Sequence, residues 1–111
     1  MNLELEPRGD VVVARVLDGR FVAGDAEDFK RRMSEAGKRV VLDLAEVKFM
    51  DSGALGAVLG VLKSVQPSGD LRLASVQAPV RAVFRLTRLD KVLAIDPDVE
   101  ASVAAFGQAA S

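Results

Sequence analysis

The sequence lacks cysteine, histidine, tryptophan and tyrosine altogether, and each absence excludes a kind of chemistry. Without cysteine there can be no disulfide, thiolate metal site or thiol redox reaction. Without histidine the chain lacks the commonest general base and the commonest metal ligand, so an enzyme would depend on Asp, Glu, Lys and Ser. Without tryptophan or tyrosine, stacking sites for bases are weak. We therefore predict that the chain is not an enzyme and holds no metal or cofactor.

A charge excess of either sign is also absent, because 15 basic and 16 acidic residues leave a net charge of −1. A nucleic-acid-binding domain would normally carry a strong basic excess, so direct nucleic-acid binding is not expected. The first residues lack the basic and apolar regions of a signal peptide. The longest apolar stretch, 54–62, falls well short of the ~18 residues that a membrane span needs. We expect a cytoplasmic protein without membrane insertion.

What is present suffices for one folded domain, since half of the 111 residues are apolar and 28% are charged. We predict a single domain over residues 1–111. Alternating and continuous apolar patterns predict strands, and periods of three and four predict helices. The predicted strands are 3–6, 11–17, 39–44, 71–76 and 92–95. The predicted helices are 25–36 (with Gly24 as an alternative start), 52–65, 79–86 and 96–106. This alternation predicts an α/β fold, with a mixed sheet of four to five strands flanked by about four helices.

The segment Asp51-Ser52-Gly53 lies between a strand-like run and the apolar stretch 54–62. Ser52 has two interpretations. Its hydroxyl could cap the helix by accepting a hydrogen bond from a backbone N–H. Alternatively, it could be exposed and phosphorylated, since a helix N-terminus tolerates a phosphate. A phosphate beside Asp51 would add roughly −1.5 to −2 charges next to an existing one, which suits switching an interface off.

Three glycines, Gly53, Gly56 and Gly60, recur at spacings of three and four in the predicted helix. Each costs about 0.5–1 kcal/mol relative to alanine, so each needs a reason. Close packing of the helix on the sheet is one reason, and a flat surface for a partner is the other. The spacing is not that of a phosphate-binding loop, so nucleotide binding is not predicted.

The same helix is more apolar than an ordinary surface helix. Its leucines can fill one buried face, which would leave Ala54, Ala57 and Val61 on other sides. An exposed apolar patch usually marks an interface. We therefore expect a partner to dock on this helix, with complete burial as the alternative.

Charged side chains elsewhere give weaker signals. One stripe of the predicted third helix carries arginines that form either a solvated face or a surface for an acidic partner, namely Arg81, Arg85 and Arg88. Four aspartates show no recognisable metal or acid–base pattern, namely Asp18, Asp25, Asp43 and Asp51.

The whole chain resembles the STAS family, and in particular its single-domain bacterial anti-sigma factor antagonists. The resemblance centres on Phe49-Met50-Asp51-Ser52-Gly53-Ala54-Leu55-Gly56, which matches the family pattern Asp-Ser-Ser/Thr-Gly-Leu-Gly in frame after an apolar strand. Weaker matches are Gly19-Arg20-Phe21 and Leu86-Thr87-Arg88-Leu89. Departures from the family pattern occur at Val22, Gly53 and Ala54.

The resemblance implies that Ser52 is phosphorylated by a partner serine kinase that is also an anti-sigma factor. The unphosphorylated domain would bind the kinase and free a sigma factor, and a metal-dependent serine phosphatase would reverse the modification. ATP would belong to the kinase, so no cofactor is expected in this chain. Other relatives are subunits of lipid-transport ATP-binding-cassette complexes or scaffolds of signalling assemblies, which remain alternatives. The predicted partner-binding residues are Asp51, Gly53, Ala54, Ala57, Phe21 and Val22.

Overall fold

The computed structural model describes residues 1–110. Within them, seven strands and four α-helices follow one another along the chain. The strands are β1 (Leu3–Arg8), β2 (Val11–Val16), β3 (Arg20–Phe21), β4 (Arg39–Asp43), β5 (Phe49–Met50), β6 (Asp70–Ala74) and β7 (Ala94–Asp96). The helices are α1 (Ala26–Met33), α2 (Ser52–Val65), α3 (Ala78–Leu86) and α4 (Val99–Ala110), with 3₁₀ turns at Ala23–Asp25 and Leu89–Lys91.

Five strands form one mixed sheet in the order β1-β2-β4-β6-β7. Strands β1 and β2 pair antiparallel, while β2–β4, β4–β6 and β6–β7 pair parallel. The chain turns between β1 and β2 at Gly9, whose φ of +66° is favoured by glycine because it has no Cβ. The predicted α/β fold, with its mixed sheet of four to five strands and about four helices, is confirmed.

Buried side chains cover both faces of this sheet. Val40 and Leu42 of β4 belong to the larger core, together with residues of α1, α2 and α3. Val41, between them, faces the other way and packs with Phe106 of α4 in a second, smaller cluster. Because successive side chains of a strand point to opposite faces, a continuous apolar run is what a strand covered on both sides requires.

Helix α2 is much more deeply buried than the sequence suggests. Its side chains at Ala54, Ala57 and Val61 are no more than 5% exposed, so the expected apolar docking face on these residues is wrong. The reason is that α2 packs on the sheet and also against α1 and the 3₁₀ turn Ala23–Asp25. These neighbours cover the sides of the helix that a sheet alone would leave open.

Element boundaries differ from the prediction mainly where elements are short. Helix α1 runs from Ala26 to Met33 rather than to residue 36, and the predicted starts Gly24 and Asp25 lie in the 3₁₀ turn Ala23–Asp25 before it. Strands β3 and β5 were not predicted and form a separate two-stranded parallel sheet. Across residues 1–110, none of the helices combines the length and apolar character needed to traverse a bilayer.

Candidate functional site

The small sheet of β3 and β5 fixes the entry to α2. Phe21 of β3 pairs with Met50 of β5, and the N–H of Asp51 points to the carbonyl oxygen of Phe21 at 3.4 Å. At the other end of β5, the N–H of Lys48 donates to the carbonyl oxygen of Gly19 at 2.8 Å. The residue before Ser52 is therefore held by backbone contacts that do not depend on α2 itself.

Asp51, not Ser52, caps α2. Its backbone is extended, with φ −100° and ψ 178°, and its Oδ1 accepts a hydrogen bond from the N–H of Ala54 at 2.9 Å. Its Oδ2 accepts a second bond from the N–H of Ala23 at 2.9 Å. One carboxylate thus satisfies two backbone donors and ties the 3₁₀ turn Ala23–Asp25 to the start of α2. The interpretation of Ser52 as the helix cap is wrong.

The electrostatics at this helix start favour a negative charge on Asp51. The hydrogen bond from the N–H of Ala23, followed by that from Ala54, lowers the pKa of the Asp51 carboxyl from its ordinary value. The positive charge of Arg20 acts in the same direction. The carboxylate is therefore ionised at neutral pH, and it already occupies the positive end of the α2 dipole.

Ser52 is the first residue of α2 and is exposed. Within the described residues its hydroxyl makes no hydrogen bond, because the two helix N–H groups that it could have capped, those of Ala54 and Leu55, donate to the Oδ1 and the carbonyl oxygen of Asp51. A free, exposed hydroxyl at the first position of a helix is accessible to a modifying enzyme without local unfolding. Ser52 is therefore available for chemistry rather than needed for the fold.

Gly53 allows the 3₁₀ turn to lie directly against α2. A Cβ built on Gly53 would lie 2.3 Å from the Cβ of Ala23 and 2.7 Å from its Cα. No side chain larger than hydrogen fits that gap without moving the turn. Gly56, one turn further along, has no atom within 4 Å of such a Cβ and is exposed. The two glycines thus serve different purposes, close packing at Gly53 and an open surface at Gly56.

Gly53→Ala should lower the free energy of unfolding by about 1–3 kcal/mol, because the added methyl group overlaps Ala23. The matched control, Gly56→Ala, should raise it by about 0.5–1 kcal/mol, because alanine is the better helix former and meets open space. Denaturant titration of both variants measures the difference. Adding Ala23→Gly to Gly53→Ala should restore only part of the loss, because the Cα of residue 23 would still lie 2.7 Å from the added methyl group. Equal stability of the two single variants would contradict the close approach.

The surface around Ser52 consists of small residues with one aromatic ring. We call it the Ser52 surface and define it by its exposed members, Ser52, Gly56, Ala23, Gly24 and Phe49. The Phe49 ring is 44% exposed, and the guanidinium carbon of Arg20 stacks 4.6 Å from its centroid. Exposed small residues and an exposed aromatic ring are features that another protein can cover closely.

The predicted partner-binding residues divide into two groups. Phe21, Ala54 and Ala57 are buried, so their assignment to a partner-binding surface is wrong for direct contact. Phe21 instead packs on Phe29, with ring centroids 4.7 Å apart. The remaining three predicted residues are half-buried at the rim of the Ser52 surface, namely Asp51, Gly53 and Val22.

Sequence reasoning missed Phe49 and the exposed part of the 3₁₀ turn, and it raised Gly56 only as one of three glycines that could form a flat surface for a partner. One signal could have identified Phe49: it is one of only five aromatic residues, and it lies two residues before Asp51. Elsewhere in residues 1–110 no group of His, Cys, Asp or Glu side chains is arranged to hold a metal ion. Arg88 lies beyond the end of α3, so only Arg81 and Arg85 share a face of that helix.

Comparison with known proteins agrees with this architecture. A family model described as the STAS domain matches residues 2–102. The anti-sigma F factor antagonist of Paenibacillus polymyxa is 31% identical over 108 residues, which cover 91% of this chain and 92% of that protein. The crystal structure of TM1081 from Thermotoga maritima superimposes with a TM-score of 0.82 at 25% identity, covering 92% of each chain.

The anti-sigma factor antagonist SpoIIAA shares the fold in two forms. Its unphosphorylated form gives a TM-score of 0.78 at 24% identity and covers 96% of this chain and 97% of that one. Its phosphorylated form, from Bacillus, gives a TM-score of 0.68 at 24% identity and covers 90% and 96%. Because the family model spans nearly the whole sequence, this chain belongs to the STAS domain family. The resemblance drawn from residues 49–56 is confirmed.

Proposed function

We propose that the chain is an anti-sigma factor antagonist that binds an anti-sigma serine kinase and is released when Ser52 is phosphorylated. The observation that carries the proposal is the free, exposed hydroxyl of Ser52 at the start of α2, relieved of capping by Asp51. The name of the Paenibacillus relative, an anti-sigma F factor antagonist, supports the same function.

In the unphosphorylated state, the Ser52 surface offers a partner close contact at low desolvation cost. Gly56, Ala23 and Gly24 present backbone and small side chains, so a partner can approach α2 and the 3₁₀ turn closely. Phe49 supplies the apolar contact area, and rigid aromatic rings of this kind often dominate binding energy. The kinase bound here would be kept from its sigma factor.

Phosphorylation would oppose binding through charge. The phosphate adds roughly −1.5 to −2 charges next to the ionised Asp51. It cannot take over the N–H of Ala23 or Ala54, because the Asp51 carboxylate already accepts both. The new charge would therefore stay solvated, and covering it with a partner would cost the hydration of the phosphate and add repulsion. A serine phosphatase would restore the binding state.

We would incubate the chain with ATP and, one at a time, with the serine kinases of the histidine-kinase ATPase class from the same genome. One of them, the partner kinase, should place a phosphate on Ser52. We expect the phosphorylated chain to bind that kinase at least about tenfold more weakly, ~1.4 kcal/mol, because of the added charge beside Asp51. Mass spectrometry locates the phosphate, and calorimetric titration measures both affinities. Phosphate found only on Ser64, Ser68 or Ser75 would contradict the proposal.

Variants of Ser52 provide the control. Ser52→Ala should block phosphorylation, keep full affinity and retain the wild-type melting temperature, because Asp51 remains as the cap. Ser52→Asp should imitate part of the phosphate charge and weaken binding. Equal affinities for Ser52→Ala and Ser52→Asp would exclude charge as the switch.

A further inference from the structure

The end of α3 and the 3₁₀ turn after it carry a group of unpartnered cations. Arg81, Arg85, Arg88 and Lys91 are all exposed, and none forms an ion pair within the described residues. Every other arginine of the chain has a partner. Five of them pair with carboxylates, namely Arg8, Arg15, Arg31, Arg39 and Arg72. Arg32 donates hydrogen bonds to backbone carbonyl oxygens, and Arg20 stacks on the ring of Phe49.

This concentration is notable because acids are not scarce in the chain. Acidic residues outnumber basic ones, 16 to 15, yet the segment 81–92 contains a single acid, Asp90. The Oδ1 atom of Asp90 is buried and has no hydrogen-bond partner within the described residues. The segment therefore presents an excess of positive charge to solvent, together with one buried acceptor that nothing in the described chain satisfies.

Arg81, Arg85, Asp90 and Ile95 line a hollow of about 290 Å³. The two arginines are one helical turn apart and share a face of α3, and both side chains border the same space. Two cations against one carboxylate leave the hollow positive. A carboxylate side chain from a partner fits there and can accept charge-assisted hydrogen bonds from the guanidinium groups.

The same segment also exposes two apolar side chains. Leu86 is 83% exposed and Val92 is 57% exposed, which makes them the two most exposed large hydrophobic residues of the described chain. Leu86 directly follows Arg85, and Val92 directly follows Lys91. A purely acidic ligand would leave both in water. A ligand with carboxylates and apolar side chains would cover charge and apolar area together.

We propose that this surface, consisting of Arg81, Arg85, Leu86, Arg88, Lys91 and Val92, is a docking site for an acidic, amphipathic segment of a partner protein. Its carboxylates would pair with the arginines, and its apolar side chains would cover Leu86 and Val92. None of these six residues belongs to the Ser52 surface, and the inference does not depend on phosphorylation. The site would hold a partner whether or not Ser52 carries a phosphate.

The test uses the unmodified full chain and a short synthetic peptide of Glu, Asp, Leu and Ala with its leucines along one side. In an NMR titration of the ¹⁵N-labelled chain, we expect saturable shifts concentrated in residues 81–92. Replacing the peptide's acids by Gln and Asn should weaken binding about tenfold, and replacing its leucines by serine about threefold. Raising the salt concentration should weaken the acidic peptide's binding, because exposed charges are screened.

Charge-reversal variants distinguish binding at this site from non-specific electrostatic attraction between the acidic peptide and the protein. Arg81→Glu/Arg85→Glu should lose binding at least about tenfold, whereas Lys38→Glu/Lys63→Glu, with the same change in net charge on other exposed lysines, should keep it. Circular dichroism establishes that both double variants fold. Equal loss in both, or shifts outside residues 81–92, would overturn the proposal. Preferential binding to phosphatidylglycerol vesicles, or self-association abolished by Arg81→Glu/Arg85→Glu, would also overturn it, in favour of a membrane surface or a second copy of the chain.

Discussion

Gly56→Arg should fold normally and lose partner binding, whereas Arg at the next position, Ala57→Arg, should unfold the protein. Gly56 is exposed, and its added side chain would meet open space one turn from Ser52. Arginine is also a better helix former than glycine, by about 0.5–1 kcal/mol. Ala57 is only 4% exposed, so its guanidinium would be buried without a partner, at a cost of about 3–5 kcal/mol or more. That cost approaches the ~5–15 kcal/mol total stability of a small domain.

Thermal melts by circular dichroism, and titration with the kinase that phosphorylates Ser52, measure the two effects on the same samples. Gly56→Ala is the control for bulk and charge, and it should melt slightly higher and bind as the wild type does. If Gly56→Arg folds and binds the kinase as the wild type does, the interface with the kinase lies outside the Ser52 surface. A folded Ala57→Arg with a wild-type melting temperature would contradict the burial of Ala57.

Parts of the fold could be predicted because their signals are local. Helix α2 begins and ends where the sequence predicts, at Ser52 and Val65, since a capping residue precedes it and Pro67 follows it. Strand β4 was predicted to within one residue from its continuous apolar run. Strands β3 and β5 could not be found in this way. Each has two residues, too few for any periodicity, and they exist because the fold brings them together.

The candidate site was predicted in position but not in its surroundings. Asp51 and Ser52 are both good helix caps, and local sequence cannot decide between them. The choice depends on Ala23, which is 28 residues away and donates to Asp51. Burial of Ala57 likewise depends on non-local packing, because α1 and the 3₁₀ turn cover α2. The hydrophobicity of the sequence indicated that α2 has several apolar sides, but it could not indicate which of these sides are covered by other elements of the same chain.

The two phenylalanines of the small sheet should respond in opposite ways to truncation. Phe21→Ala should cost about 3–5 kcal/mol of stability, because the ring is fully buried against Phe29 and leaves a cavity. Phe49→Ala should cost about 1 kcal/mol or less, mostly its stacking with Arg20. Binding of the kinase, however, should fall about tenfold or more in Phe49→Ala, because an exposed ring on the Ser52 surface is then missing.

Melting curves and kinase titrations on both variants distinguish these roles. Phe21→Ala should melt more than about 10 °C lower than the wild type, and Phe21→Leu should recover much of the loss by refilling the cavity. Any binding defect of Phe21→Ala should disappear at temperatures where that variant is folded, since Phe21 is buried and reaches the site through backbone contacts with β5 and Asp51. Phe49→Ala should keep its binding defect at every temperature. The opposite result would be a Phe49→Ala variant that binds the kinase as tightly as the wild type and a folded Phe21→Leu variant that does not. In that case the partner would recognise the Phe21 ring, exposed by local opening of β3.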